Sequence, residues 1–449
     1  MAGIKRLGRQ LESLLTGTAP EKSSGVGQNV AWLLFDRGFR FVASFAVGVA
    51  VTRHLGPGQS GVLASVTALA ALAAAGLDLG LDAILRRELA QHPAARGRLL
   101  GTATALRLAA APVALAVFAA LWLAQPAAST HAALALPLAF TALLPVALVF
   151  ETWFHSQTQS RFGVWAQNSA LAVSAVLRAA LLATGADLLA FAWAAAAEAL
   201  LVAVLLVSFY TRQGGRFDEW RADLATARAL LRDAWPLALI SLSALFYTRI
   251  DLVMLAALRG DAEAGHYGAA VRLTELGYIA PMILVTSLFP TLARLRHSDP
   301  SACRAQLQRL CTLVTWLGIG TTTVLTVAAP VLLRLTYGAA FAPAAGVLTL
   351  SAWCVLFACQ SAARGQWILL ENLQRYALWY VLIGAAVNIT LNLFLIPRLG
   401  AIGAALASVL TQAVVTLVAP ALFAATRPGV GFLLRAFVFR TAPPLATPT

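Results

Sequence analysis

Apolar residues in this chain are gathered into repeated runs of roughly 20 residues, separated by short polar segments. A helix needs about 20 predominantly apolar residues to cross a hydrocarbon layer about 30 Å thick. We expect helices because an isolated strand in lipid leaves its backbone without hydrogen-bond partners. The runs predict twelve membrane spans, near residues 29–52, 61–85, 99–124, 132–155, 163–184, 188–210, 235–258, 265–293, 307–333, 344–370, 376–396 and 401–425.

Composition agrees with this pattern. Hydrophobic residues make up 60% of the 449 residues and charged residues only 12%, which lies outside the range of soluble globular proteins. Residues 1–26 are polar, and the first apolar run is long enough to span a bilayer and remain there. The sequence therefore predicts a polytopic all-α membrane protein without a cleavable signal.

The net charge of +14 raises the question of a nucleic-acid partner. Most of the 33 lysines and arginines fall in segments that would share one side of the membrane, whereas the opposite loops hold only four. This asymmetry is typical of cytoplasmic loops, so we expect no nucleic acid and both termini in the cytoplasm. Abundant arginine and alanine favour a bacterial source, and hence the bacterial cytoplasmic (inner) membrane. The four basic residues of the opposite loops are Arg53, Arg259, Arg334 and Arg398.

A long basic connection divides six predicted spans from six. The predicted organisation is a cytoplasmic N-terminal segment at 1–26, an N-lobe at 27–210, a basic cytoplasmic linker at 211–234, a C-lobe at 235–425 and a cytoplasmic tail at 426–449. Because each half holds an even number of spans, the halves run in the same direction and enclose a central cavity.

An internal repeat supports two related lobes, although abundant aromatic residues leave coincidence as the alternative. Four residues recur at one offset, and Gly61 and Gly265 form a weaker echo at the start of spans 2 and 8. The matched residues are Trp153, Arg161, Phe162 and Trp165 in the first half and Trp367, Arg375, Tyr376 and Trp379 in the second.

The sequence contains no motif for several common kinds of catalytic, nucleotide-binding or metal site. No Walker A sequence, zinc-protease HExxH or serine nucleophile elbow occurs in the sequence. The four cysteines show no close pairing that would indicate a disulfide framework or a zinc site. We therefore expect no catalytic residue, no cofactor and no metal, and a protein that is not an enzyme.

Charged residues inside the predicted spans are the strongest candidates for function. At the bilayer centre each costs about 2.5–3.5 kcal/mol even on insertion scales. In span 1, Asp36 and Arg40 lie four residues apart on one face, and Arg37 adds a second cation. The surplus positive charge suits an anionic group such as a diphosphate, which guanidinium binds in bidentate fashion. The alternative is an ion pair that packs one lobe against the other.

Spans 7 and 8 carry two more such sets. Arg249 and Asp251 are two residues apart on a helix and point away from each other, so each must find its partner elsewhere. Arg272 and Glu275 are three apart and can satisfy each other within span 8. Pro281 predicts a kink there.

Span 2 carries Asp78 and Asp82 four residues apart, which on one helical face predicts a protonatable or cation-binding pair. Asp82 also lies four residues before Arg86, so a solvated helix end is the competing interpretation. Arg178 and Glu198, in spans 5 and 6, give a weaker indication of a site.

Several stretches resemble the polysaccharide biosynthesis flippases, which move O-antigen-type lipid-linked oligosaccharides and belong to the multidrug/oligosaccharidyl-lipid/polysaccharide exporter superfamily. The resemblance covers nearly the whole chain in the right order. It is carried by Asn29 to Gly61 with the turn Arg53-His54-Leu55-Gly56-Pro57, by Arg249-Ile250-Asp251 through Gly265-His266-Tyr267-Gly268 to Ser287-Leu288-Phe289-Pro290, and by Asn388, Asn392 and Gly400-Ala401-Ile402-Gly403.

The resemblance implies two six-helix bundles around a cationic cavity, with alternating access carrying a polyprenyl-diphosphate-linked glycan from the inner to the outer leaflet. Arg37, Arg40, Arg249 and Arg272 would then receive the diphosphate or acidic sugars. Asp36, Asp78, Asp251 and Glu275 would balance charge or couple an ion. Expected partners are the glycolipid, membrane lipids and, without a residue-level signal, a polysaccharide polymerase or other envelope-synthesis protein.

Two other functions compete with the flippase. A cation-coupled multidrug and toxin extrusion antiporter of the same superfamily would couple through carboxylates and carry few cavity arginines. A multispan polymerase or acyltransferase would need a catalytic residue on a substantial loop, and every predicted outer loop is short.

Overall fold

The computed structural model describes the backbone of residues 24–438 and the side chains of residues 43–438 apart from Ala280. Helices account for nearly all of these residues, and no strand occurs among them. Residues 1–44 and 45–449 form separate units, and the packing described below lies within the second. The all-α class predicted from hydropathy is therefore confirmed.

The helices are numbered in chain order. The first half contains α1 (Ser24–Asp78), α2 (Leu81–Gln91), α3 (Arg96–Leu123), α4 (Ala135–Ala142), α5 (Leu144–Ser156), α6 (Arg161–Ala183) and α7 (Leu188–Arg212). The second half contains α8 (Leu224–Arg259), α9 (Asp261–Leu276), α10 (Ile279–Ser298), α11 (Pro300–Thr336), α12 (Ala344–Ser351), α13 (Trp353–Leu370), α14 (Ala377–Leu399), α15 (Ala401–Ala413), α16 (Ala419–Leu422) and α17 (Arg427–Arg435).

These helices reproduce the predicted membrane spans. Within the described residues, 11 helical stretches are long and apolar enough to cross a membrane. The first of them, Ala43–Gln91, contains the end of the predicted first span and all of the second. The eleven stretches thus correspond to the twelve predicted spans, since the predicted turn at Gly56 divides the first stretch.

Breaks in the helices fall at glycines and before a proline. Gly56 has φ 70° and ψ 177° inside α1, a conformation that only glycine adopts without strain. Leu79 and Gly80 both have positive φ and separate α1 from α2. In span 8 the helix stops at Leu276 and resumes at Ile279, so that Pro281 lies in the first turn of α10, where its missing N–H costs no hydrogen bond. The kink predicted from Pro281 is present as this break.

The internal repeat extends to backbone conformation and side-chain packing. Thr158 and Asn372, which lie at the same offset as the four matched pairs, both have φ 55°. The guanidinium of Arg161 lies 4.9 Å from the Phe162 ring centroid. The equivalent Arg375 lies 5.1 Å from the Tyr376 ring centroid. Equal turns with equal stacking favour a structural repeat over coincidence, and they agree with two pseudo-symmetric bundles.

The connection between the halves is shorter than the predicted linker and is bound to the first half. Only residues 213–223 lie between α7 and α8, whereas the sequence predicted a linker over 211–234. The linker ends earlier than predicted because α8 already begins at Leu224. The Asp223 side chain caps this helix by accepting from the N–H of Thr226 at 2.8 Å. Glu219 pairs with Arg96 at 3.0 Å, and Trp220 donates to the Tyr210 hydroxyl at 2.9 Å.

The start of the predicted tail is also packed on the bundle. Helix α17 buries Phe432 and Leu433 in the same apolar cluster as Trp367. Gln308 of α11 donates to the carbonyl of Phe432 at 3.0 Å. Part of the predicted tail over 426–449 is therefore a helix that covers one end of the second bundle.

Asp299 provides a stability prediction that can be tested by pH. It caps α11 by accepting from the N–H groups of Ser301 and Ala302, each at 3.0 Å. The Ala302 N–H, followed by the Ser301 hydroxyl, holds the pKa of Asp299 below its ordinary value. A lowered pKa means that the ionised cap stabilises the fold above the ordinary aspartate pKa of about 4 and loses this contribution as the pH falls further.

We expect Asp299→Ala to lower the melting temperature in detergent at pH 7, and the deficit to shrink below about pH 4. Asp299→Asn is the matched control, because asparagine caps helices well without a charge. A deficit that stays constant across this pH range would contradict the assigned role of the ionised carboxylate.

Candidate functional site

A cavity of about 420 Å³ lies where α1, α8 and α9 approach one another, with contributions from α6, α7 and Tyr337. Three arginines and two acidic residues line it. This position fits the general rule that charged side chains within a membrane protein face an internal cavity. The charged lining residues are Arg178, Arg249, Arg272, Asp251 and Glu275.

Arg249 and Glu275 connect α8 to α9 across the cavity. Their nearest side-chain atoms are 3.4 Å apart, and both side chains are partly exposed, at 43% and 33%. The sequence allowed Glu275 to pair with Arg272 on the same helix. That pairing does not form, because Glu275 is engaged by the arginine of the neighbouring helix.

Arg272 is consequently left without a carboxylate partner among the described side chains. No ion-pair partner for it exists among the side chains of residues 43–438. Its guanidinium lies against the backbone of Gly48 in α1, where a Cβ would be only 2.6 Å from the guanidinium carbon. A glycine at this position lets the guanidinium reach the cavity wall, so the positive charge is presented to the cavity.

Asp251 is buried, whereas its near neighbour Arg249 is partly exposed. It is 3% exposed and accepts hydrogen bonds from the hydroxyls of Tyr267 and Ser408, the latter at 2.8 Å. The N–H of Leu252 donates to it at 2.9 Å. These donors come from α8, α9 and α15, so one carboxylate joins three helices.

Arg178 is a lining residue whose charge is balanced. It donates to Glu198 at 2.9 Å, and Ser174 donates to the same carboxylate oxygen at 2.7 Å. The sequence had indicated this pair only weakly. The structure brings Arg178 to the cavity together with Arg249 and Arg272.

Asp78 lies outside the cavity lining, in a second charged cluster. Asp78 and Asp82 both accept from Arg107, at 2.7 and 2.8 Å. Arg107 is fully buried and also donates to the carbonyl of Pro145 at 2.6 Å. The expectation of one continuous helical face is wrong here, because the chain breaks at Leu79. The two carboxylates form a site that already contains its own cation.

The remaining predicted residues belong to α1. Asp36, Arg37 and Arg40 are helical, but their side chains lie outside the described residues. Their roles stay predictions.

Sequence reasoning gave no role to Arg107, Tyr267 or Ser408. Arg107 was recognisable as an intramembrane charge, but its two acidic partners come from other segments, 25 and 29 residues away. Ser408 is 157 residues from Asp251 and carried no signal at all, since a serine in an apolar helix is common.

More than half of the chain matches the sequence model of one protein family. The model of the family described as "Polysaccharide biosynthesis protein" matches residues 26–296, which is more than half of the chain. This chain belongs to the polysaccharide biosynthesis protein family. The resemblance seen in its helices is thereby confirmed.

Solved structures show which fold this family member has. An inward-facing multidrug resistance MATE family transporter of the MOP superfamily matches with a TM-score of 0.70 and 14% identity, covering 88% of this chain and 96% of that one. The lipid II flippase MurJ in an inward closed conformation matches with a TM-score of 0.71 and 11% identity, covering 90% of both chains. A MOP superfamily transporter from Pyrococcus furiosus matches with a TM-score of 0.59 and 13% identity, covering 91% of this chain and 95% of that one.

At such low sequence identities, the structural similarity establishes the fold of this chain but does not identify the molecule that it transports. This chain is a multi-pass membrane protein whose fold matches those of MOP superfamily transporters. Its structural neighbours are transporters and flippases rather than enzymes.

The cluster of Arg107, Asp78 and Asp82 gives a prediction about the stability of the fold. We expect Arg107→Gln to lower the free energy of unfolding by about 3 kcal/mol, near the lower end for breaking a buried pair, because Asp78 and Asp82 are partly exposed. Asp82→Asn leaves the Arg107–Asp78 pair in place, so it should cost less. Thermal unfolding of purified protein in detergent measures both. An Arg107→Gln protein as stable as wild type would contradict the structural role.

Proposed function

We propose that this protein is a flippase that translocates a polyprenyl-diphosphate-linked oligosaccharide from the inner to the outer leaflet of a bacterial cytoplasmic membrane by alternating access. Both termini would face the cytoplasm, as the distribution of basic residues predicts. Membership of a polysaccharide biosynthesis family supports the substrate class. The observation that carries the proposal is Arg272, which has no carboxylate partner among the described side chains and lies beside the Arg249–Glu275 pair in the cavity.

The pairing of charges around the cavity favours an anionic group beside Arg272. Arg178 is neutralised by Glu198, and Arg249 by Glu275. Asp251 is buried among hydroxyl groups, while Arg272 has no carboxylate partner among the described side chains. A diphosphate offers the oxygens that guanidinium groups bind as a fork. Such a group would be anchored by Arg272 and would compete with Glu275 for Arg249.

In this mechanism the diphosphate and sugars enter the cavity while the polyprenyl tail remains in the lipid. Arg37 and Arg40 would add positive charge from α1. Asp36 and Asp251 would balance charge or couple an ion. Asp78 would balance the charge of Arg107, away from the cavity lining. The division into an N-lobe and a C-lobe at the linker is part of the same proposal.

A cation-coupled multidrug antiporter is the second candidate, because a MATE transporter matches the fold with a TM-score of 0.70. A cationic drug would meet Arg178, Arg249 and Arg272 in the cavity. Arg178 and Arg249 are paired with carboxylates, so the repulsion of a cationic cargo would come mainly from Arg272, since like charges repel in a low-dielectric site. The antiporter therefore ranks below the flippase.

Translocation in proteoliposomes tests the flippase. We expect wild type to flip a fluorescent polyprenyl-diphosphate oligosaccharide, and Arg272→Gln and Arg249→Gln each to reduce the rate about tenfold or more, since a hydrogen bond to a charged group contributes about 1.5–3 kcal/mol. Arg334→Gln is the matched control, because Arg334 is exposed and does not line the cavity.

The results also discriminate between the two candidates. Proton-driven export of cationic drugs without glycolipid flipping would establish the antiporter instead. Flipping that survives Arg40→Ala, Arg249→Gln, Arg272→Gln and Asp251→Asn would retain the class but refute the proposed site.

A further inference from the structure

Two glycines bring the helices of the two halves into direct backbone contact at one end of the cavity. A Cβ on Gly61 of α1 would lie 1.8 Å from the carbonyl oxygen of Asp261. A Cβ on Gly265 of α9 would lie 1.9 Å from the carbonyl oxygen of Pro57. Both distances are far below any real Cβ contact, so neither position has room for a side chain. We call these two glycines and the two carbonyl groups the glycine seal.

The glycine seal is reciprocal. Gly61 lies against the carbonyl of Asp261, four residues before Gly265, and Gly265 lies against the carbonyl of Pro57, four residues before Gly61. Each helical segment also starts in the same way, because Gly56 has φ 70° and ψ 177° and Gly260 has φ 92° and ψ 172°. Each of these turn glycines lies five residues before a seal glycine. Two equivalent segments thus meet around a local pseudo-twofold axis, as expected where two repeats face each other.

The cavity begins directly at this contact. Gly265 itself lines the cavity, and so do Ser60 and Ala64, which flank Gly61 on α1. Just beyond the end of α1, a second close approach joins the halves: a Cβ on Gly80, the residue before α2, would lie 2.4 Å from the backbone nitrogen of Ala238 in α8. The two approaches are separated by roughly 28 Å along the helix at 1.5 Å per residue.

We propose that the glycine seal is the gate at one end of the transport path, and that it parts when the cavity opens on that side. This inference rests on the proposed transport function. A cavity of about 420 Å³ suits a small-molecule ligand, so an oligosaccharide head group requires the surrounding helices to separate. The seal involves backbone atoms and no interlocking side chains at Gly61 and Gly265. Movement of α1 against α9 therefore needs no change of side-chain rotamer at these two positions. The charge distribution predicts that this end faces away from the cytoplasm.

The first test adds one methyl group at the seal. Gly61→Ala and Gly265→Ala should disfavour the closed state and increase labelling of a Thr67→Cys reporter, which lines the cavity, by a membrane-impermeant maleimide from outside. We expect a several-fold faster reaction. Gly58→Ala and Gly268→Ala are matched controls, since a Cβ at Gly58 meets nothing within 4 Å and one at Gly268 meets Ala64 Cβ at 3.7 Å. Unchanged labelling in folded Gly61→Ala and Gly265→Ala proteins would overturn the proposal.

The second test keeps both glycines and so remains decisive if the variants do not fold. Spin labels on Gln59→Cys and Ala262→Cys, both exposed positions next to the seal, report its width by double electron–electron resonance. The four native cysteines are buried, and the protein without added cysteines measures the background. Two distance populations, shifted by the polyprenyl-diphosphate oligosaccharide, support the gate. A single distance with and without the glycolipid shows a static contact and overturns it.

These readouts separate the gate from the transport proposal. Accessibility and distance are measured without any flipping, so a moving seal in a protein that fails to flip the glycolipid supports the gate and counts against the cargo. A rigid seal in a protein that flips the glycolipid does the reverse.

Discussion

Every polar or charged side chain buried away from water needs a partner of opposite charge or a hydrogen-bond partner, and the interior of this protein depends on this constraint. Hydrocarbon offers no hydrogen-bond partners, so each polar or charged group must find its partner within the protein. Arg107 meets this demand with two carboxylates and a backbone carbonyl. Arg364 meets it with the carbonyls of Val415 and Thr416, each at 2.7 Å, where the last span departs from α-helical geometry. Both arginines are thereby fixed parts of the framework.

The cavity is the exception to this rule among the described residues, and it is the proposed site of transport. Arg272 lies at its wall beside the backbone of Gly48, and the Arg249–Glu275 pair is partly exposed and has the longest separation of the Arg–carboxylate pairs among the described residues. In the proposed function, an anionic group would supply the partner that Arg272 lacks among the described side chains. The proposed preference for a negative cargo thus rests on Arg272 and the partly exposed Arg249.

Close backbone approach is the second organising principle, and it joins the two halves at two places. Gly61 and Gly265 permit contact at one end of the cavity, and Gly80 permits contact with α8 further along the chain. Between these points α1 and α9 line the cavity. The linker adds an anchor on the first half, because Arg221 and Glu219 lie directly against Gly101 and Gly97 of α3. Small residues thus decide where the two halves touch, and side chains decide what lies between them.

The sequence by itself determined the membrane class, the twelve apolar spans, the turn at Gly56 and the repeat around Trp153 and Trp367, since each depends on local composition, length or fixed spacing. It also marked Arg249, Asp251, Arg272 and Glu275 as functional candidates, because any charge in an apolar span is costly. Only the tertiary structure decided how these charges pair. Glu275 binds Arg249 rather than Arg272, Arg107 gathers Asp78 and Asp82, and Asp251 is held by Tyr267 and Ser408. These partners are distant in sequence or belong to other helices, and helical periodicity carries no information about which faces of different helices meet.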